Sequence, residues 1–248
     1  MRLSAGLLAF FCLVAAPASA APSFPVLSGR VVDDAHILSA ANVSDITQKL
    51  AALEAKTSRQ LVVVTVPSLG GYEISDYGYQ LGRKWGIGQA RLNNGAIFII
   101  APTEHRARIE VGYGLEPILT DAFSSIILQT AVLPRFRVGD FDGGVAGGVN
   151  ALVQQLSLDT STAEARAAAA ASQQGKSQDG GSLGALIAII FIAFALLRVF
   201  GGWGLLPFLF MGGGGRGGYG GGGGSDFGGG GFGGGGGSFG GGGSSGSW

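Results

Sequence analysis

Charged side chains are scarce in this chain: Asp, Glu, Lys and Arg make up 13% of its 248 residues, and the 16 basic and 16 acidic groups cancel. No steering field points toward nucleic acid, anionic lipid or an acidic substrate, so no nucleic-acid partner is expected. Cysteine is almost absent. The single Cys12 sits inside an N-terminal apolar run, so a chain processed after that run has no thiol to form a disulfide, attack a substrate or ligate zinc. The two histidines, His36 and His105, fall in no metal-ligand spacing, which leaves a histidine metal site or a Ser-His-Asp triad without support. Glycine is in excess instead. Its 48 copies are concentrated toward the C-terminal end, and the chain has to be read segment by segment.

Arg2, the apolar stretch Leu7 to Ala16 and the small residues Ala18-Ser19-Ala20 have the layout of a secretory signal over residues 1–20. The stretch is too short to span about 30 Å of hydrocarbon, so cleavage before Ala21 is expected. A second apolar run starts at Leu183 and meets no charge before Arg198. Continued to Phe200 it can cross a bilayer, and residues 183–211 are read as a transmembrane helix with an apolar extension that is either part of the span or interfacial. Acting as a stop-transfer, it would leave the preceding domain on the periplasmic side and the tail in the cytoplasm, in keeping with Arg198 and Arg216 and the positive-inside bias. The expectation is a single-pass protein of the cell membrane. Residues 159–182 are rich in Ala, Ser, Gln and Gly and read as a linker that could extend a helix around Ala163 to Ala171 but has no apolar face to bury. Residues 212–248 are nearly all glycine with spaced phenylalanines and a terminal Ser247-Trp248, too poor in apolar groups to offset the ordering entropy, and are expected to be disordered.

Residues 21–158 remain, enough for one domain with its own core. Ser39 can cap a helix with Val43, Ile46, Leu50 and Leu53 at 3.6-residue spacing. Leu61 to Val66 and Ala96 to Ala101 are unbroken apolar strands that call for two covered faces, and the helix between them implies a parallel crossover. Pro102 to His105 lead into a third, antiparallel strand, Arg106 to Val111, where Arg108 and Glu110 alternate with apolar residues and promise a wetter face. Thr120 or Asp121 begins a helix expected to end near Pro134, and a last helix carries Phe141 to Leu156. The expected fold class is α/β: one three-layer α/β/α domain with a small mixed sheet.

If the second and third strands pair as a hairpin, Asn93-Asn94-Gly95 and Gly112 to Glu116 share one end of the sheet, and the helix at Asp121 begins beside them. Asn93, Asn94, Glu116 and Asp121 would then converge as oxygen donors of the kind that suits Ca2+ or another divalent cation. Asp121 and Glu116 are also the candidate catalytic residues, and Asp33 with Asp34 are secondary metal candidates at the far end. Each residue has a simpler reading. Asp121 can complement a helix N-terminus, Asn93-Asn94-Gly95 can make a turn, and Arg108 with Glu110 can be a same-face strand pair. Asp140 reads as a helix cap rather than the start of a calcium loop, because no glutamate follows at the loop's twelfth position.

Four stretches, taken in order, resemble the TPM domain family. They are Gly29-Arg30-Val31-Val32-Asp33-Asp34-Ala35 with Ile37-Leu38-Ser39; Leu92-Asn93-Asn94-Gly95; Ile109 to Glu116 with Leu119-Thr120-Asp121; and Phe136-Arg137-Val138-Gly139-Asp140-Phe141. The signal, the span and the glycine-rich end closing on Ser-Gly-Ser-Trp are similar to the bacterial membrane-anchored branch of that family. The resemblance implies a range of roles, since the family includes chloroplast lumen proteins linked to photosystem repair, a receptor modulator, and members described as acid phosphatases or calcium binders. Two functions follow as expectations. One is an envelope module that binds a membrane-protein client, with or without calcium, and supports assembly or maintenance. The other is a metal-assisted phosphomonoester hydrolase, disfavoured because Arg59, Arg83, Lys84 and Arg108 form no phosphate clamp.

Overall fold

Alternation along the strands decides the architecture. In the computed structural model, which describes residues 22–174 and 234–248, five strands form one sheet: β1 (Val31–Asp33), β2 (Gln60–Thr65), β3 (Gly95–Ala101), β4 (Arg106–Gly112) and β5 (Phe239–Ser247), in that spatial order. β1, β2 and β3 run parallel, and β4 and β5 are each antiparallel to the strand before. Leu61, Val63, Phe98, Ile100, Ile109 and Val111 face one core, while Val62, Val64, Ile97 and Ile99 face the other. Successive strand side chains point to opposite faces, so β2 and β3, apolar on both, need helices on both.

The first face is covered by α1 (Ala40–Thr57), α3 (Asp121–Ile127), α4 (Leu133–Phe136) and α5 (Phe141–Leu156), the second by α2 (Ile74–Trp85). Ser39 opens α1 by accepting from the Asn42 amide, and Ser58, in the left-handed region, closes it. Ile46, Leu50 and Leu53 are its buried stripe, as their spacing predicts. On α2, Ile74, Tyr77, Leu81 and Trp85 do the same. The glycines of α5 let it approach closely: a Cβ on Gly148 would lie 2.8 Å from Val132 Cγ2 and 2.9 Å from Phe98 Cε1. Contact with the neighbouring helix and the sheet offsets the helix propensity that glycine lacks.

The structure departs from the sequence expectations in three places here. β1 is a three-residue edge strand, too short to carry a period. Pro134 does not end the helix that begins at Asp121. Residues Leu128–Val132 widen to a π-helix, and Pro134 then falls in the first turn of α4, where its missing N–H costs nothing. In the expected linker the helix allowed around Ala163 to Ala171 runs from 160 to 174, and, contrary to expectation, it has an apolar stripe. Ala163, Ala167 and Ala170 are buried, and Gln155 Nε2 donates to the carbonyls of Ile118 (2.6 Å) and Ala163 (3.0 Å). Alanine at i, i+4 and i+7 packs without side-chain entropy loss, which compensates for its small area. The signal at 1–20 and the apolar run at 183–211 lie outside the described residues, among which no helix is long and apolar enough to cross a membrane.

Gly148→Leu is expected to destabilise the fold by about 1–3 kcal/mol in urea melts through overpacking against Val132 and Phe98. A neutral result would show that α5 does not press on the sheet.

Candidate binding groove at the sheet edge

The hairpin of β3 and β4, with Ala96 opposite Val111, brings Asn93-Asn94-Gly95 and Gly112 to Glu116 to one end of the sheet, and the Gly114 amide donates to the Asn93 carbonyl at 3.0 Å. Thr120 caps α3 by accepting from the Phe123 amide and sets Asp121 in the first turn. Asn93, Glu116 and Asp121 are thus placed along the same edge of the sheet, spread out beside successive residues of one strand. Asn94 does not join them. It is buried, its Oδ1 accepting from the Gln89 amide (2.8 Å) and its Nδ2 donating to the Ser58 carbonyl (2.7 Å), so it ties two loops together.

Asp33 and Asp34 lie at the opposite end. The Asp33 carboxylate is taken up by the amides of Ile37 and Leu38 and by Thr65 Oγ1, an Asx-type turn that leads into α1. Asp34 is exposed beside a cleft of about 230 Å³ shared with Ser68 and Tyr77, at the carboxyl ends of β1 and β2. The Tyr77 hydroxyl donates to the Ser23 carbonyl, and burial, reinforced by Asp34 and Glu104, pushes it up to about 12.

What Asn93, Glu116 and Asp121 lie beside is the chain's own C-terminal end. Residues 239–247 are not disordered, as expected from composition, but form β5 on the outer edge of β4, pairing from Gly112 opposite Phe239 to Arg106 opposite Ser247. Asn93 Oδ1 accepts from the Ser238 amide (2.9 Å), and Asp121 Oδ1 accepts from the Gly243 amide (2.7 Å). Exposed Glu116 lies against Gly242, and the ring of Tyr113 against Gly240. Phe239 anchors one end. It is fully buried in the second core, over Gly82 of α2, where a Cβ would sit 2.8 Å from the ring. Trp248 anchors the other, edge-on to Phe136 (centroids 4.7 Å apart) and His105 (5.6 Å), with its amide donating to the His105 carbonyl. Gly243 has φ +118, and any side chain there would strike the Ile109 carbonyl.

Beneath β5 lies a buried ion pair. Arg108 and Glu110 point to the α2 face, with Arg108 Nε 2.6 Å from Glu110 Oε2, and they are 4% and 0% exposed. The expected wetter face of β4 is thus dry, because α2 covers it from above and β5 from the side. The Arg108 guanidinium also donates to Ser245 Oγ (2.8 Å) and the Gly241 carbonyl (2.8 Å), so three of its contacts are within the chain's edge layer. Burial pushes the Glu110 carboxyl up to about 7. Arg108 and the Gly241 amide pull the other way, and Asp121 adds to the rise.

The four predicted donors do not face one another as a set: Asn94 ties two loops together, and Asn93 and Asp121 each accept from an amide of the C-terminal strand. As a groove for an extended strand the end of the sheet is complete: a backbone edge, two aromatic seats and polar groups matched to amides. The residues missed from sequence are Gly82, Tyr113, Phe239 and Trp248. The one legible signal was the pair Phe239 and Trp248, bracketing an otherwise side-chain-poor segment.

A mixed five-stranded sheet with helices on both faces defines the class, a small α/β domain. The chain belongs to the TPM domain family: residues 31–155 match the family's model, which bears the name TPM phosphatase. No curated protein matches. Among solved structures, the N-terminal domain of a P. gingivalis protein is 35% identical, with 52% of this chain and 82% of that one covered and a TM-score of 0.49. The N-terminal domain of the cg2496 protein of Corynebacterium glutamicum is 19% identical (56% and 86% covered, TM-score 0.43). The BA42 protein of Bizionia argentinensis is 20% identical (48% and 81% covered, TM-score 0.42).

The raised Glu110 carboxyl makes a pH prediction. In the unfolded chain the group titrates near its ordinary value of 4.5 and in the fold near 7, so between these the folded state holds the extra proton. Stability should then fall as pH rises from about 4.5 to about 7 and level off above. Glu110→Gln should flatten that limb in denaturant melts, and an unchanged slope would assign it to other groups.

Proposed function

We propose that this chain is a membrane-anchored module of the cell envelope that binds extended peptide segments by adding them as a strand to the edge of β4, in the service of membrane-protein assembly or maintenance. The observation that carries this reading is β5: a glycine-rich segment with almost no intrinsic strand preference is held by backbone pairing and two aromatic anchors. Sheet edges are normally blunted, whereas this one is shaped to receive a strand. The test uses the full chain carrying Phe239→Ser and Trp248→Ala. The β4 amides facing β5 should exchange with solvent at least about tenfold faster than in the parent, matching loss of a strand whose opening free energy is above about 1.4 kcal/mol. A synthetic peptide of residues 234–248 should restore their protection. Equal exchange in parent and variant would remove the groove.

The anchor in this proposal is the apolar segment 183–211, reached by export through the signal at 1–20. One consequence revises the expected cytoplasmic tail. A tail on the far side of a bilayer cannot pair with its own domain, so the strand-addition reading requires the domain and Trp248 on the same side of the membrane. In Ser247→Cys, whose mature form has no other thiol, a membrane-impermeant maleimide should label the exposed position 247 in intact sphaeroplasts. Labelling that needs lysis would restore the cytoplasmic tail.

The name of the family model supports a second reading, phosphomonoester hydrolysis by Asp121 and Glu116 once the tail leaves. Its signature is kcat/KM above about 10⁴ M⁻¹s⁻¹, abolished by Asp121→Asn in protein that still folds. A slower, Asp121-independent activity leaves the binding reading in place.

A further inference from the structure

The contacts of β5 specify a sequence, and this points to what else the groove takes. Resting on the strand-addition reading, we propose that the β4 edge accepts the C-terminal tail of a second copy of this chain, so that copies are joined by exchange of β5.

The argument starts from what the groove demands. An occupant needs a phenylalanine over Gly82 and an aromatic end beside Phe136 nine residues later. Between them it needs glycine where φ is +118 and where a Cβ would meet Leu133 Cδ1 at 2.8 Å, the positions of Gly243 and Gly246. Few unrelated segments meet these conditions together, and the tail of another copy meets them by identity.

The covalent link does not select the copy. The 59 residues 175–233 separate the described domain from the docked tail. Beyond the proposed anchor, residues 212–233 span at most about 70–80 Å at roughly 3.3–3.6 Å per residue, long against a domain whose radius of gyration is about 15 Å. Every contact that holds the tail in its own groove is available in a neighbour's. Exchange requires reversible docking, which is favoured by a strand built mainly of glycine, the residue that gives up most conformational freedom on ordering, with two large apolar anchors, Phe239 and Trp248. Copies confined to one membrane face meet at high local concentration, which offsets the advantage of the tail already attached. Reciprocal exchange closes a two-fold dimer, and one-way exchange propagates a chain of copies.

The test is complementation in full-length protein with distinct tags at the mature N-terminus. A tail-defective form carries Phe239→Ser and Trp248→Ala. A groove-defective form carries Asp121→Lys, an exposed position where the acceptor for the Gly243 amide is lost, with its fold checked by circular dichroism; Gly82→Trp, which fills the Phe239 seat, is the stronger second version. We expect the parent to co-purify with itself. Each defective form alone should associate at least about tenfold less, and the mixture should regain association, since one form still has a groove and the other a tail. Association no greater in the mixture than in either form alone overturns exchange. The two failures can be told apart by the β4 amides. If they stay protected in the parent at every concentration while copies do not associate, the groove is filled in cis alone and the strand-addition reading survives; if they are unprotected, both fall.

Discussion

Two charged side chains on a strand whose faces are both dry set the terms for the outer half of this domain. Arg108 and Glu110 project toward α2 from β4, where neither can reach water, and a single ion pair leaves most of the guanidinium's donors to be satisfied. β5 supplies them. Its carbonyl at Gly241 and its hydroxyl at Ser245 take the remaining guanidinium bonds, and its backbone closes the edge of β4. Buried ion pairs add little net stability over an apolar pair, but losing one partner is costly. What this pair secures is register: Arg108 opposite Ser245 is the one alignment in which its hydrogen bonds and the two aromatic seats are met together.

Other features of the edge follow from that alignment. With Arg108 opposite Ser245, Phe239 falls over Gly82 and Trp248 reaches Phe136. The turn at Asn93 and the start of α3 at Asp121 then meet amides of the incoming strand. Oxygen donors that look like cation ligands in sequence are, in the fold, acceptors for a peptide backbone. The chemistry is the same, an oxygen lone pair offered to positive charge, and the partner is a partial charge on N–H rather than a full one on a metal.

This arrangement completes the sheet edge with the chain's own C-terminal strand. A strand built from apolar β-branched residues would be a permanent part of the core. One built from glycine and serine between two aromatic anchors is held by the domain rather than by its own preferences. Placing recognition in the backbone and specificity in a few side-chain seats is the logic of strand addition, on which the proposed binding role rests.

The sequence by itself determined the two-sided core. Apolar β2 and β3, the 3.6-residue stripe on α1, the Ser39, Thr120 and Asp140 caps, and the hairpin that brings Asn93 beside Gly112 were all legible, because each rests on contacts between residues close in the chain or on a period that burial imposes. The alanine stripe at 163, 167 and 170 and the passage of the helix through Pro134 were not, since small residues and a locally widened turn are resolved by neighbours distant in sequence. β5 was the least legible. Nothing in a run of glycine prefers a strand, and its pairing depends on an edge that exists once β4, α2 and α3 are in place. Tertiary structure alone decided that the tail is ordered, that Arg108 and Glu110 are dry, and that Asn93, Glu116 and Asp121 face a peptide, because each is a property of a surface assembled from remote segments.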